Sequence, residues 1–265
     1  MTDAAQSTGG LFDVAGKIAL VTGGGRGIGL MIASGLVRAG VRVMIASRKA
    51  DDLETAAAEL RRDGECEAIA ADLSTPEGAR ALAGEVRARV DALHILVNNS
   101  GATWGAPLEE FPASGWDRVI RTNVEGIFHL TVGLLPVLRA AAGAKDPARV
   151  INIGSVDGIH VPLVENYSYS ASKAAVHMLT RHLARRLASE HITVNAIAPG
   201  PFESKMMAFL LEEPESRTEV ERMVPLGRIG RPDDVAGLTL FLASRGGSYL
   251  TGAVIPLDGG ITGCG

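Results

Sequence analysis

The sequence predicts an α/β fold in which one doubly wound parallel sheet is covered by helices on both faces. Short apolar runs alternate with longer segments of helical patterning, and a glycine-dense turn joins the first run to the first helix. Such runs are typical of strands buried on both faces, and helical crossovers between them give parallel pairing. The chain has 265 residues with no repeats or low-complexity linker, so we expect one domain over residues 11–265.

The first strand, turn and helix give the strongest binding signal. Residues 18–21 form an apolar run, and residues 30–39 form an apolar-rich helix. Between them, Gly23, Gly27 and Gly29 have the spacing of a dinucleotide-binding turn with a longer first gap. Glycines let backbone N–H groups approach a pyrophosphate, and a helix N-terminus favours negative charge. The alternative is an ordinary tight turn between a strand and a helix.

The remaining elements follow in chain order. The segment 50–62 has Asp51 and Asp52 in its opening turns and Arg61 and Arg62 at its end, which matches the dipole of a helix. Further strands are predicted at 41–46, 67–71, 93–97, 149–153, 193–198 and 254–257. Further helices are predicted at 76–90, 116–123, 124–142, 168–189 and 232–243, and an irregular, partly helical substrate lid at 199–226.

Composition restricts the class of protein. The hydrophobic content of 46% is enough for one large core, and the net charge of −4 with interspersed signs favours neither nucleic acid nor a membrane surface. Cys66 and Cys264 are far apart, so we expect no disulfide framework, no metal site and a cytoplasmic location. The polar residues 1–10 predict a disordered tail without a signal peptide. An acid and a histidine interrupt the most apolar stretch, 124–138, so no membrane span is expected.

Polar residues follow several of the predicted strands. Because the carboxyl ends of parallel strands meet at one edge of the sheet, where ligands bind in such folds, we expect these residues to converge. They are Thr22, Ser47, Arg48, Asp72, Asn98, Asn99, Ser155, Pro199 and Gly200.

The end of the second strand indicates which nicotinamide cofactor binds. An NAD site needs an acid there for the ribose 2′-hydroxyl, whereas an NADP site needs a cation for the 2′-phosphate. This corner contains Ser47, Arg48 and Lys49 with no acid before Asp51, and Arg26 lies in the glycine turn. Two guanidinium groups suit a phosphate, so we predict NADP(H). In the alternative, Arg48 and Lys49 are simply solvated.

Tyr169 and Lys173 form the candidate reacting pair. Positions i and i+4 share one helix face, and a lysine cation beside a phenol favours the phenolate. Tyr167 lacks this partner because Ala171 occupies its i+4 position. Ser155 follows the fifth strand, where its hydroxyl is suited to hold a carbonyl oxygen, and Asn123 lies at a helix junction suited to ordering a water. Taken singly, these residues are equally consistent with a surface pair, a turn residue and a helix cap.

Together these motifs resemble the short-chain dehydrogenase/reductase family, over residues 14–262. The resemblance rests on the glycine turn from Thr22 to Gly29, on Asn98-Asn-Ser-Gly101, and on Asn123, Ser155, Tyr169-x-x-x-Lys173 and Pro199-Gly200. It implies a Rossmann-like fold in which Tyr169 is the acid/base. Lys173 would bind the nicotinamide ribose and lower the Tyr169 pKa, Ser155 would orient the substrate oxygen, and Asn123 would carry a proton relay. The cofactor-binding residues would be Gly23, Arg26, Gly27, Ile28, Gly29, Ser47, Arg48, Asp72, Leu73, Asn99, Gly101, Tyr169, Lys173, Pro199, Gly200, Phe202 and Ser204.

Within the family, the chain is most similar to NADPH-dependent 3-oxoacyl reductases of the rhamnolipid-pathway type. We therefore expect hydride transfer between the nicotinamide and a ketone or secondary alcohol. A dehydrogenase of a sugar, polyol or steroid is the alternative, and a non-catalytic NADP-sensing scaffold is a more remote one. Relatives that dock acyl carrier protein have basic residues where this chain has Ala142 and Glu190, which favours a CoA ester or a free ketone as substrate. Family members are usually tetramers, so we expect a homotetramer.

Overall fold

The computed structural model describes residues 8–162, 164–203 and 214–264 of the chain. Its seven strands form one parallel sheet in the order β3-β2-β1-β4-β5-β6-β7. The strands are β1 (Ile18–Thr22), β2 (Arg42–Ser47), β3 (Cys66–Ala70), β4 (Ile95–Asn98), β5 (Ala148–Ile153), β6 (Ile192–Pro199) and β7 (Val254–Leu257). The predicted α/β fold is confirmed. The direction of winding reverses between β1 and β4, and this reversal opens a crevice at their carboxyl ends.

Helices cover both faces of the sheet. They are α1 (Gly27–Arg38), α2 (Ala50–Leu60), α3 (Pro76–Arg89), α4 (Ala113–Ile120), α5 (Gly126–Ala141), α6 (Tyr167–Leu187), α7 (Pro214–Met223) and α8 (Pro232–Ala243). On one face, α1, α2 and α8 pack in a core with Val21 and Ile45. On the other, α3, α5 and α6 pack in a core with Leu20 and Met44. Neighbouring strand residues thus face opposite cores, which explains why the strands are apolar throughout.

The helices α4 and α5 differ from the prediction. Residues 113–141 form one continuous helical stretch, with a π-helical turn at Arg121–Glu125 where two separate helices were expected to meet. By length and composition alone this stretch could cross a membrane, a test that the core helix of a soluble protein also passes. Here its Leu130, Leu134 and Leu138 are fully buried in the core beneath the sheet.

Two further predicted segments lie only partly within the described residues. Thr8–Leu11 forms a 3-10 turn, and residues 1–7 of the tail predicted to be disordered lie outside the described residues, so that expectation stays a prediction. Of the predicted lid at 199–226, residues 204–213 also lie outside them, and α7 supplies the expected helical part.

Candidate active site

The glycine turn after β1 has a backbone that other residues cannot adopt without strain. Gly23 and Gly27 have φ values of +65° and +52°. A Cβ on Gly29 would lie 2.3 Å from the Gly23 carbonyl oxygen and 2.4 Å from Asn99 Nδ2. The three predicted glycines are therefore needed for conformation or for space, and the main chain of the turn is left open to a ligand.

The N-terminus of α1 opens onto this turn. Its N-cap residue, Arg26, is extended and makes no side-chain capping bond, so the first N–H groups of the helix have no partner from that side chain. Ile28 lies in this first turn and packs partly against the core. The cradle and the helix N-terminus together fit the pyrophosphate of a dinucleotide.

Hydrogen bonds join the glycine turn to the end of β4. The Thr22 hydroxyl accepts from the backbone N–H groups of Asn99 at 2.9 Å and of Ser100 at 3.0 Å. Asn99 Nδ2 donates to the Thr22 carbonyl at 2.9 Å. These bonds hold the two strand ends on either side of the crevice together.

The corner after β2 is cationic, as predicted. Arg26 and Arg48 are both exposed, and neither forms an ion pair with a carboxylate of the described residues. A Cβ on Gly25 would lie 3.8 Å from Ser47 Oγ, so this hydroxyl faces the glycine turn. Lys49, in contrast, is 3.5 Å from Asp52 in an exposed pair. The free cations and the hydroxyl fit a ribose 2′-phosphate.

Asp72 and Leu73 occupy the next strand end. Burial acts to raise the pKa of Asp72, but hydrogen bonds from Ser74 and the charge of Arg48 outweigh it, and the pKa is lowered. Leu73 is buried, and its carbonyl oxygen would be 2.5 Å from a Cβ on Gly126. Asp72 therefore lies close to the cationic corner, and the adenine contacts of Asp72 and Leu73 stay a prediction.

The Ser155 and Tyr169 side chains lie next to each other in the structure. Ser155 caps a 3-10 turn at Val156–Gly158, and its Oγ accepts from the Asp157 N–H at 3.1 Å. The Ser155 hydroxyl faces the Tyr169 phenol closely enough to act on its pKa. Burial raises the pKa of Tyr169 to about 12, the Asp157 carboxylate adds to the rise, and the Ser155 hydroxyl opposes it. The phenol is therefore protonated at neutral pH.

Lys173 lies one helical turn beyond Tyr169. Its Nζ donates to the Ile153 carbonyl at 2.8 Å and lies 5.4 Å from the centroid of the Tyr169 ring. Burial lowers the pKa of Lys173 to about 8, with Asp157 opposing the shift. Burial, the Asp157 charge and the Ser155 hydroxyl account for the shift of the Tyr169 pKa, and the lowering expected from Lys173 stays a prediction.

Asn123 links three parts of the site from within the π-helical turn. Its Oδ1 accepts from Ala102 N at 2.7 Å, and its Nδ2 donates to Ala102 O at 3.0 Å and to Ser172 Oγ at 2.9 Å. A Cβ on Gly101 would lie 3.5 Å from Asn123 Oδ1 and 3.9 Å from Lys173 Nζ, so these groups surround one point. Both amide hydrogens of Asn123 are engaged, and its relay role stays a prediction.

The segment after β6 only partly matches the expected nicotinamide contacts. Pro199 ends the strand, and Gly200 N donates to Leu257 O at 3.0 Å. Phe202 is 2% exposed and its ring packs against Gly230, so it belongs to the core, and its contact with the nicotinamide stays a prediction. Ser204 lies outside the described residues.

The sequence also offers an apolar wall for a substrate pocket or, equally, a set of residues that pack the lid against the body: Trp104, Phe111, Val161, Pro162, Met206 and Phe209. Trp104 packs against Gly115, and Phe111 stacks edge-on with Tyr167 at 5.5 Å, whereas Val161 is 89% exposed. Met206 and Phe209 lie outside the described residues.

Three residues of the site were not predicted from the sequence. Ser172 joins Asn123 to the Tyr169 carbonyl, to which its Oγ donates at 2.7 Å. The Asp157 carboxylate acts on both Tyr169 and Lys173. His177 lies beneath the Ser155 turn. Its i+4 spacing from Lys173 was the available signal, since Tyr169, Lys173 and His177 share one face of α6.

Comparisons with known proteins agree with this geometry. Residues 23–262 match a family model described as enoyl-(acyl carrier protein) reductase, which belongs to the short-chain dehydrogenase/reductases. The chain is 51% identical over 252 residues to the rhamnolipids biosynthesis 3-oxoacyl-[acyl-carrier-protein] reductase of Pseudomonas aeruginosa, covering 94% of this chain and 97% of that protein. It is 37% identical over 254 residues to a galactitol 2-dehydrogenase (L-tagatose-forming) of Cereibacter sphaeroides, covering 95% and 97%.

A solved structure gives the same result. The Pseudomonas aeruginosa RhlG/NADP active-site complex superposes with a TM-score of 0.93 at 49% identity, covering 96% of this chain and 99% of that one. By these matches and by its own site, the chain is a member of the short-chain dehydrogenase/reductase family.

Proposed function

We propose that this protein is an NADP(H)-dependent reductase of carbonyl groups, most active on 3-oxoacyl thioesters. One observation carries the proposal: a protonated Tyr169 phenol faces the Ser155 hydroxyl, with Lys173 on the next helical turn. The glycine cradle and the cationic corner support the choice of cofactor. When bound there, NADPH supplies a hydride to the carbonyl carbon of the substrate.

The side chains of the site supply the proton and hold the oxygen. Because Ser155 Oγ already accepts from Asp157 N, its own proton is available to donate to a substrate carbonyl oxygen. Tyr169 Oη holds the proton that neutralises the new alkoxide. Lys173 Nζ gives one hydrogen to Ile153 O and retains two for ribose hydroxyls. A positioned acid of this kind contributes about 10²–10⁴-fold to a rate.

We propose that the substrate is a CoA ester or a free ketone rather than an ester of acyl carrier protein. Glu190 pairs with Arg139 and with Arg186, each at 2.6 Å. These two guanidinium groups are therefore already neutralised and less available to an acidic carrier protein. The Pseudomonas relative is named as a reductase of 3-oxoacyl groups on acyl carrier protein, which favours the carrier-protein ester, so both kinds of substrate belong in the assay.

Turnover of matched substrates tests the proposal. The purified protein is assayed for NADPH oxidation with one 3-oxoacyl chain presented on CoA, on acyl carrier protein and as a simple thioester. NADP⁺ reduction with galactitol is measured in parallel. We expect the CoA ester to be reduced fastest. Absence of NADPH oxidation with every 3-oxoacyl thioester would remove the substrate assignment, and galactitol oxidation would favour the polyol alternative.

Replacing Arg48 tests the choice of NADP(H) over NAD(H). We expect Arg48→Ala to raise KM for NADPH about tenfold and to leave KM for NADH unchanged, because one charge-assisted contact to the 2′-phosphate is lost. Lys49→Ala is the matched control, since Lys49 is held by Asp52. Equal effects of Arg48→Ala on both cofactors would contradict the assignment.

We further propose that the protein is a cytoplasmic homotetramer. Phe128 and Val132 on α5 and Met178 on α6 are large apolar side chains that are 42%, 44% and 52% exposed in the single chain. The first two are four residues apart and share one helix face, as expected of helices that pack across a two-fold axis. Two free cysteines, Cys66 and Cys264, suit a reducing compartment. Sedimentation analysis of the purified protein should give the mass of four chains.

A further inference from the structure

His177 is a buried polar side chain that the proposed mechanism does not use. It is 5% exposed, its imidazole forms a hydrogen bond with the Gly158 backbone, and its Nε2 has no partner among the described residues. A buried nitrogen without a partner costs free energy, so its retention calls for a compensating contribution.

The imidazole ring fills the space beneath the turn that carries Ser155. A Cβ on Gly154 would lie 2.2 Å from His177 Nε2, and a Cβ on Gly158 would lie 2.8 Å from His177 Cε1. Neither glycine has a positive φ, so close approach of the ring is the reason why no side chain fits there. The ring therefore contacts the turn on both sides of Ser155.

The His177 ring also lies close enough to Lys173 for the charge of the lysine to act on it. Burial, followed by the Lys173 charge, lowers the pKa of His177 to about 4, with Arg181 adding to the shift and the Gly158 hydrogen bond opposing it. The imidazole is therefore neutral at physiological pH and adds no cation beside the ammonium. One face of α6 thus carries Tyr169, Lys173 and a neutral support for the Ser155 turn.

We propose that His177 is a positioning residue that holds the Ser155 turn at bonding distance from Tyr169. This rests on the proposed carbonyl reduction, in which Ser155 acts on the substrate oxygen. His177 reaches the reaction through Ser155, because its ring lies against Gly154 and Gly158 on either side of that residue. Small displacements of such a group are costly to a rate, up to about 10²-fold for 1 Å.

Substitution of His177 alone and together with Ser155 tests the proposal. We expect His177→Leu to lower kcat about tenfold with little change in KM for NADPH. We expect His177→Gln to recover most of the loss, because its side-chain amide can still donate to the Gly158 backbone. In a Ser155→Ala background, His177→Leu should change kcat less than about twofold, since the group through which it acts is gone. Equal losses in both backgrounds would show a merely structural role and overturn the proposal.

Amide hydrogen exchange gives a readout that does not depend on activity. We expect His177→Leu to speed exchange at residues 154–158, whereas Thr180→Val should leave it unchanged. Thr180 is an equally buried polar residue on α6 that bonds Asn152 and Val176, away from the turn. Unchanged exchange in His177→Leu would overturn the proposal whatever the turnover. Wild-type protein that reduces no carbonyl would instead refute the proposed function.

Discussion

Tyr169→Phe is expected to lower kcat for carbonyl reduction by about 10²–10⁴-fold, the contribution of a positioned acid. The substitution removes the hydroxyl that holds the transferable proton and keeps the ring. The loss should fall on kcat, because the phenol acts on the alkoxide that forms in the transition state. Steady-state rates with a 3-oxoacyl thioester and NADPH measure it.

Tyr167→Phe is the matched control for this experiment. Tyr167 is two residues away on the same helix, but its hydroxyl donates to Glu165 at 2.8 Å and its ring packs against Phe111. We expect this variant to keep nearly full activity, and both variants to keep the wild-type Kd for NADPH. A Tyr169→Phe variant with wild-type turnover would show that the acid is another group.

Asp146→Asn is expected to lower the free energy of unfolding by about 2–3 kcal/mol and Tm by roughly 5–10 °C. Asp146 is paired with Lys17 at 2.8 Å and with Arg149 at 3.0 Å, near the amino end of the sheet. The side chains of Lys17 and Arg149 are 10% and 1% exposed, so removing the carboxylate leaves two buried cations without a counter-charge.

The expected loss is below the roughly 3–5 kcal/mol typical of a broken buried pair. Asp146 is itself 40% exposed, and Arg149 keeps hydrogen bonds to the Leu242 and Ser244 carbonyls. Asp52→Asn is the control, because it removes an exposed pair with Lys49 worth at most about 1 kcal/mol. Denaturant unfolding of the wild-type protein and of the two variants measures the change in unfolding free energy that each substitution causes. Equal effects of the two substitutions would contradict this account.

Much of the site was predictable because its residues are placed by local rules. Gly29, Ser155 and Arg48 each follow a strand, and a parallel sheet brings its strand ends to one edge. Tyr169 and Lys173 lie on one helix face by spacing alone. The family resemblance implies that Phe202 contacts the nicotinamide, but packing against Gly230 buries the residue.

By itself, the sequence determined the alternation of strands and helices, the single parallel sheet, the glycine cradle and the candidate acid with its lysine neighbour. These depend on periodicity and on backbone restrictions, which act over a few residues. Only the tertiary structure decided that Asn123 bridges Ala102 and Ser172, that burial keeps Tyr169 protonated, and that His177 lies beneath the Ser155 turn. Those outcomes depend on which distant segments exclude water from a side chain, and no local pattern records that.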